Sequence, residues 1–232
     1  MDRTQAERIV ASRPWWYHKF EIYPGVVTPG VYDPGGTLKQ LQLPEDLGGV
    51  RILEIGPADG YFTKTLTARG AHVTAVDYAP KDQYGFAAME AASGRTFNFI
   101  HCNLFDLPNL ELQPFEIVIC LGVLYHLPDM CRGIHVLRGL TAKRMILETR
   151  ICVRHLDEPI AEYFVSDSNN NDDTNFWAPN PLCCNQMLED AGFVVESQWI
   201  NDNRGMFRCV TKPPTRKLSM AYEFLRKHHG EA

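Results

Sequence analysis

From residue 51 onward short apolar runs alternate with amphipathic stretches, and this alternation constrains the fold more than any other feature. Arg51 to Ile55 is an apolar run that ends in Gly56-Pro57-Ala58-Asp59-Gly60. A helical stretch follows through Arg69, with Gly70 as its C-terminal stop. His72 to Val76 forms a second strand, closed by Asp77, and a helical stretch runs from Gly85 to Ser93. Thr96 to His101 is a third strand. Phe115 to Cys120 is a fourth, almost continuously apolar, as a strand buried on both faces must be. Cys131 to Leu140 reads as a helix and Arg144 to Thr149 as a fifth strand. Strands and helices in this order predict an α/β sheet with right-handed crossovers.

The flanks are less regular. Asp2 to Ser12 is a short amphipathic helix interrupted by Pro14, and the polar run Ser166 to Asp173 is irregular. Pro181 to Ala191 is a helix stopped by Gly192, followed by a closing antiparallel pair, Phe193 to Ile200 and Met206 to Lys212. Pro213-Pro214 precede a last amphipathic helix, Lys217 to His228. Without repeats or an interdomain linker, residues 1–232 read as one domain. It comprises a lead-in over 1–49, a ligand-binding core over 50–212 and a C-terminal helix over 213–232.

Composition narrows the function classes. A chain of 232 residues with 45% hydrophobic and 22% charged residues supports a sizeable core and excludes wholesale disorder. No apolar stretch approaches the ~20 residues of a membrane helix. Met1 to Val10 has no apolar centre of the signal-peptide kind, so a soluble cytoplasmic protein, a monomer or homodimer without membrane contact, is expected. The net charge of −5 argues against a broad nucleic-acid surface. The seven cysteines show no CxxC spacing, so reduced thiols are expected and no metal site.

Two clusters invite chemistry. Trp15-Trp16-Tyr17-His18-Lys19-Phe20 precedes a Gly/Pro-rich stretch through Gly36, and neither reads as a regular helix or strand. Trp15 and Trp16 alternate in direction along an extended chain, so both cannot face one core. A lid over a site, a core anchor and a partner patch all fit. The second cluster is the turn after the first strand. It lacks GxGxxG spacing and carries Glu54 and Asp59, carboxylates that repel a pyrophosphate and attract an ammonium or sulfonium. Asp77, ending the second strand, suits the two hydroxyls of a ribose.

Leu53-Glu54-Ile55-Gly56-Pro57-Ala58-Asp59-Gly60-Tyr61-Phe62, followed by Asp77, resembles the class I S-adenosylmethionine-dependent methyltransferases. The resemblance covers about residues 50 to 211. It implies a doubly wound, seven-stranded, mostly parallel Rossmann-like sheet with an N-terminal lid segment. It also implies S-adenosylmethionine as cofactor. On this basis Gly56 and Gly60 shape the floor of the site, Gly122 is a further cofactor-binding residue, and Glu54 and Asp59 lie near the methionine end. Asp77 binds the ribose, Tyr78 packs on the adenine, and Asn103 with the backbone of Leu104 faces that ring.

A narrower resemblance attaches to Phe115 through Leu127, Ile146-Leu147-Glu148-Thr149 and Asn175-Phe176-Trp177-Ala178-Pro179-Asn180. These segments look like the subfamily that alkylates a tRNA wobble-uridine hydroxyl. There, residues matching Tyr125, Lys19 and Arg204 bind a carboxylated form of the cofactor. From the residues themselves, Tyr125 and His126 end the motif after the fourth strand, where His126 suits proton transfer. Glu148 and Arg150 either orient a polar substrate or form a structural ion pair. Trp15, Trp16 and Tyr17 suit cation–π contact with a sulfonium.

The leading expectation is methyl transfer to a small molecule, in a context such as secondary metabolism. Three alternatives stand beside it. One is cyclisation of the cofactor to azetidine-2-carboxylate and methylthioadenosine under a closed aromatic lid, another is alkylation of tRNA, and the last is a non-catalytic binding module. The charge of −5 weighs against tRNA as a partner.

Overall fold

The computed structural model describes residues 1–213. The helix expected over Lys217 to His228 lies outside the described residues.

The strands of the central sheet are β3 (Arg51–Ile55), β4 (His72–Asp77), β5 (Asn98–His101), β6 (Phe115–Leu121), β7 (Thr141–Arg150), β10 (Phe193–Asn201) and β11 (Arg204–Thr211). Their spatial order is β10-β11-β7-β6-β3-β4-β5. The β3–β4, β3–β6, β4–β5 and β6–β7 pairs are parallel, and β11 runs antiparallel to both β7 and β10. The expected doubly wound, mostly parallel sheet of seven strands is therefore present, with β11 as the single reversed strand. Ile117, Val118, Ile119 and Cys120 are all buried, which accounts for the continuous apolar run in β6.

Among the described residues six α-helices accompany the sheet: α1 (Arg3–Ala11), α2 (Gly35–Gln40), α3 (Tyr61–Ala68), α4 (Phe86–Ser93), α5 (Met130–Leu140) and α6 (Pro181–Ala191). One core layer joins Leu53, Val118, Met145, Leu147 and Phe207 to Ile134, Leu137 and Leu188 from α5 and α6. A layer from Ile52, Ile119, Ile146 and Met206 packs with Phe62 and Leu66 of α3 and with Leu41 and Leu47. Local chemistry sets the helix ends: Asp2, Asp129 and Asn180 side chains cap the starts of α1, α5 and α6, and Gly192 in the left-handed region stops α6.

The structure corrects the sequence reading at two places. The Gly/Pro-rich lead-in contains a small hairpin, β1 (Glu21–Tyr23) with β2 (Val26–Val27), and the short α2. The irregular stretch after β7 contains β8 (Ala161–Tyr163), paired with β9 (Trp177–Pro179). Each of these strands has only two or three residues, too few for alternation to register as a pattern.

Candidate active site

The sheet reverses its winding between β3 and β6, because β4 and β5 continue to one side and β7 to the other. Ligands of open α/β sheets bind in the crevice at the carboxyl ends of such strands. Here the crevice starts at Gly56, whose φ of +72° belongs to the left-handed region. A Cβ at Gly56 would lie 2.5 Å from Val123 Cγ2, so glycine is required for space as well as for φ. Gly122, φ +71°, ends β6 on the other side of the crevice, and Gly60, φ +78°, opens α3.

The acids of the turn are buried. Glu54 is 3% exposed, and Thr63 Oγ1 donates a hydrogen bond to its Oε2. Desolvation, reinforced by Asp77 and opposed by the Thr63 bond, pushes its pKa up to about 7. Asp77 is 8% exposed and accepts from the backbone N–H of Ala79 at 3.0 Å. Burial raises its pKa, while backbone N–H groups of Ala79, Ala58 and Tyr78 work in the opposite direction.

Asp59 has a different task from the one its position in the turn predicts. Its carboxylate is fully buried. Oδ2 accepts from the backbone N–H groups of Tyr17 and His18 at 2.7 Å each, and Oδ1 accepts from Gly85 N–H at 2.8 Å. Those donors occupy both oxygens, so Asp59 fastens the N-terminal segment to the sheet instead of presenting charge to a ligand. Gly85 permits the close approach: a Cβ there would lie 2.5 Å from the Trp16 ring and 2.6 Å from Asp59 Oδ1.

The aromatic segment consequently divides between two roles. Trp16 is 1% exposed, packs in a core with Phe86 and Met89, and donates from Nε1 to Val10 O at 3.2 Å. It is an anchor, not a lid. Trp15 is 47% exposed, and its ring stacks on Tyr17 with centroids 6.0 Å apart. Tyr17 in turn stacks on Tyr32 at 5.4 Å. Burial lifts the Tyr17 hydroxyl to about 12, with Tyr125 raising it and Arg204 lowering it. The charged and titratable groups around the Tyr17 hydroxyl include Tyr125, Arg204 and Glu148. Lys19 is exposed between buried His18 and Phe20, and its backbone N–H donates to Tyr32 O at 2.7 Å.

At the ends of β7 and β11, Arg204 Nε and Nη2 donate to Glu148 Oε1 and Oε2 at 2.5 and 2.6 Å. The same guanidinium lies over the Tyr125 ring, 4.9 Å from its centroid. Burial alone would lower the Arg204 pKa, but the Glu148 carboxylate outweighs it and holds the group firmly protonated. Arg150, two residues beyond Glu148, therefore does not pair with Glu148.

Tyr125 and His126 lie on a short 3₁₀ turn, Leu124–His126, with ring centroids 4.0 Å apart. His126 Nδ1 is 3.0 Å from the carbonyl oxygen of Thr174. Thr174 Oγ1 is also 3.0 Å from Nδ1 but gives its proton to Asp172 Oδ1 at 2.6 Å, and a carbonyl only accepts, so Nδ1 carries the proton and Nε2 keeps its lone pair. Desolvation lowers the His126 pKa, which favours the neutral ring. Thr174 is 48 residues away in a polar loop, and no local signal in the sequence links it to His126.

The remaining predicted residues follow the ends of β4 and β5. Tyr78 is 63% exposed, its hydroxyl is 3.5 Å from that of Tyr84, and its carbonyl oxygen meets His101 Nε2 at 2.8 Å. Asn103 Oδ1 accepts from Phe105 N–H at 3.0 Å, capping the turn that opens at buried Leu104. A separate groove of about 510 Å³, lined in part by Leu43, Glu116, Arg144 and Arg208, sits away from all these residues. Among the described residues no group of His, Cys, Asp and Glu has the arrangement of a metal site, and no helix is long and apolar enough to cross a membrane.

Comparison with known proteins agrees with this architecture. A protein-family profile described as a methyltransferase domain matches residues 36–198, well over half of the chain. A ubiquinone biosynthesis O-methyltransferase of Aromatoleum aromaticum is 33% identical over 84 residues, which is 36% of this chain and 36% of that protein. One from Xylella fastidiosa is 30% identical over 113 residues, 44% of this chain and 46% of that protein. The chain thus matches less than half of the length of these relatives. One from Aeromonas salmonicida is 29% identical over 192 residues, 79% of each chain. Among solved structures, the N-terminal domain of EvdMO1 with S-adenosylhomocysteine bound aligns with a TM-score of 0.67 at 18% identity, covering 91% of this chain and 97% of that one. Magnesium protoporphyrin IX methyltransferase from Synechocystis with bound S-adenosylmethionine aligns with a TM-score of 0.57 at 20% identity, covering 76% and 77%. These relatives bear other names than the tRNA-modifying subfamily that the narrower resemblance implied. With its reversed seventh strand, its winding switch at Gly56 and the profile match over residues 36–198, the chain belongs to the methyltransferase-domain family.

Proposed function

We propose that the protein is an S-adenosylmethionine-dependent O-methyltransferase acting on a small hydroxylated acceptor. The observation that carries the reading is the fixed tautomer of His126, which leaves Nε2 basic at the carboxyl edge beside Tyr125. A neutral imidazole of this kind accepts the proton of a hydroxyl as the oxygen becomes a nucleophile.

The residues present fit the cofactor. The missing side chains at Gly56 and Gly122 keep the crevice open at its floor, Asp77 offers a carboxylate to ribose hydroxyls, and exposed Tyr78 offers a ring face. Glu54, behind the turn, supplies a carboxylate for an ammonium group. When bound, S-adenosylmethionine supplies a methyl group activated by a positively charged sulfur. Tyr17, Tyr32 and Tyr125 then exclude water from the reacting centre and face that charge with aromatic rings. His126 holds the acceptor's proton at Nε2, and Thr174 steadies the ring from Nδ1.

A small acceptor is favoured over tRNA for two reasons. The Arg204 guanidinium is already committed to Glu148, and the net charge is −5. The O-methyl assignment follows the names of the relatives. The test is incubation with S-adenosylmethionine, with and without a panel of phenols and catechols, followed by mass spectrometry. S-adenosylhomocysteine together with a product heavier by one methylene is expected only with acceptor present. Methylthioadenosine formed without an acceptor would replace this reading with cofactor cyclisation.

A further inference from the structure

We propose that Arg150 is an anion-binding residue of the acceptor site, taking a carboxylate borne by the small molecule that is methylated. The inference deepens the reading above and rests on it.

The argument begins with strand register. In the antiparallel β11–β7 pair, Arg204 stands directly opposite Arg150, and Met206 stands opposite Glu148. Directly opposed residues of an antiparallel pair project from the same face, so two guanidinium groups share one place at the carboxyl edge. Like charges so placed are destabilising unless each is neutralised. Only one is. Arg204 reaches diagonally back to Glu148 and takes both of its oxygens.

Glu162 is the other carboxylate in the neighbourhood of Arg150, and its Oε1 accepts from Arg154 Nη2 at 2.5 Å. Among the described residues no carboxylate hydrogen-bonds to Arg150. Its guanidinium sits 5.5 Å from the centroid of the Phe164 ring, a contact that orients the plane without neutralising it. The group is half-buried, and both desolvation and the Arg204 charge work against its protonated form. A half-buried, directed cation with no carboxylate hydrogen-bonded to it is stabilised by an anion, and a guanidinium fork fits a carboxylate on two oxygens.

Position decides which anion. Arg150 is coupled in charge to Tyr125 and Arg204, at the acceptor side of the crevice. Asp77 and Tyr78, on the nucleotide side, belong to β4 and its end, three strands away in the order β7-β6-β3-β4. A donor's methionine carboxylate carries the same chemistry, so the experiment separates the two sources.

The full-length protein, saturated with S-adenosylhomocysteine, is titrated calorimetrically with 3,4-dihydroxybenzoate and with catechol. Wild type, Arg150→Gln and Arg150→Lys are compared, with melting temperatures verifying that each variant is folded. The acid is expected to bind wild type about tenfold tighter than catechol, the size of one charge-assisted hydrogen-bond pair. Arg150→Gln erases that preference, Arg150→Lys restores part of it, and S-adenosylhomocysteine affinity stays the same in all three. Equal binding of acid and catechol to wild type, or no binding of the acid, overturns the proposal. So does a loss confined to S-adenosylhomocysteine in Arg150→Gln, which would assign the guanidinium to the donor. Failure of wild type to bind S-adenosylhomocysteine at all would instead strike the methyl-transfer reading itself.

Discussion

Glu148 and Arg204 form a two-pronged ion pair across neighbouring strands, with Nε and Nη2 at 2.5 and 2.6 Å from the two carboxylate oxygens. The pair closes the carboxyl end of the sheet between β7 and β11 and presents the other face of the guanidinium to the Tyr125 ring. Both partners are shielded, with side chains 12% and 31% exposed, so neither charge is well solvated if its mate is removed. Glu148→Gln and Arg204→Met are each expected to destabilise the fold by about 2–3 kcal/mol. The double variant Glu148→Gln/Arg204→Met should cost less than the sum of the two single variants, since no stranded charge remains. Urea unfolding of the four proteins measures this, and single-variant losses below about 0.5 kcal/mol would show the pair to be solvated like a surface bridge.

Asp59 predicts a coupled loss. Its two oxygens hold three backbone N–H groups, those of Tyr17, His18 and Gly85, and so join the N-terminal segment to the turn before α4. Hydrogen bonds to an ionised acceptor contribute about 1.5–3 kcal/mol each, though never additively at one carboxylate. Asp59→Ala should therefore lower stability by on the order of 3–5 kcal/mol. Hydrogen exchange should accelerate at the Tyr17, His18 and Gly85 amides well before it does in β6. Unchanged protection at those amides would contradict the anchoring role.

The central sheet was legible in the sequence because its strands are buried on two faces and its helices carry real stops. Phe115 to Leu121 has no polar alternation to confuse, and Gly70 and Gly192 end α3 and α6 as left-handed residues must. The site was legible only in part. Gly56 and Asp77 stand at strand ends, and strand ends are visible in a sequence. The use of Asp59 was not, because its partners are backbone amides 41 and 42 residues away, and backbone amides leave no mark in composition. For the same reason the division of Trp15, Trp16 and Tyr17 between solvent, core and site was hidden: alternation shows that neighbours diverge but not which neighbour goes where. The opposition of Arg150 and Arg204 depends on the β7–β11 register, which a one-residue slip would abolish.

His18 makes the N-terminal segment acid-sensitive. The ring is 4% exposed among Tyr17, Tyr32, Tyr61 and Phe62, and burial depresses its pKa to about 4. The unfolded chain, with histidine near 6.5, binds the proton more readily than the folded one. The contribution is thus fully present above pH 6.5 and is lost as the pH falls through about 4, amounting to on the order of 3 kcal/mol. The raised carboxyls of Asp59 and Glu54 slope the other way, so the comparison needs a variant. His18→Phe should flatten the decline in melting temperature between pH 6.5 and 4 relative to wild type. Parallel curves would show that His18 does not titrate in that window.

Glu54 is expected to make cofactor binding proton-linked. Its carboxyl is buried behind the turn, hydrogen-bonded to Thr63 and repelled by Asp77, and its pKa is pushed up to about 7. A folded pKa above the unfolded value means that this group favours the fold most below about pH 4.5 and that the gain is lost as the pH rises through about 7. A cationic ligand beside the turn reverses the local field: it favours the carboxylate, lowers its pKa and expels a proton. S-adenosylmethionine should therefore bind with proton release at pH 6.5 and with almost none at pH 8.5, where Glu54 is already ionised. Calorimetry in two buffers of different ionisation enthalpy reads the release directly. Glu54→Gln should abolish the pH dependence while Asp77→Asn weakens binding at both pH values, by about 1–3 kcal/mol for the lost charged hydrogen bonds. Equal proton release at the two pH values in wild type would show that Glu54 does not feel the ligand's charge.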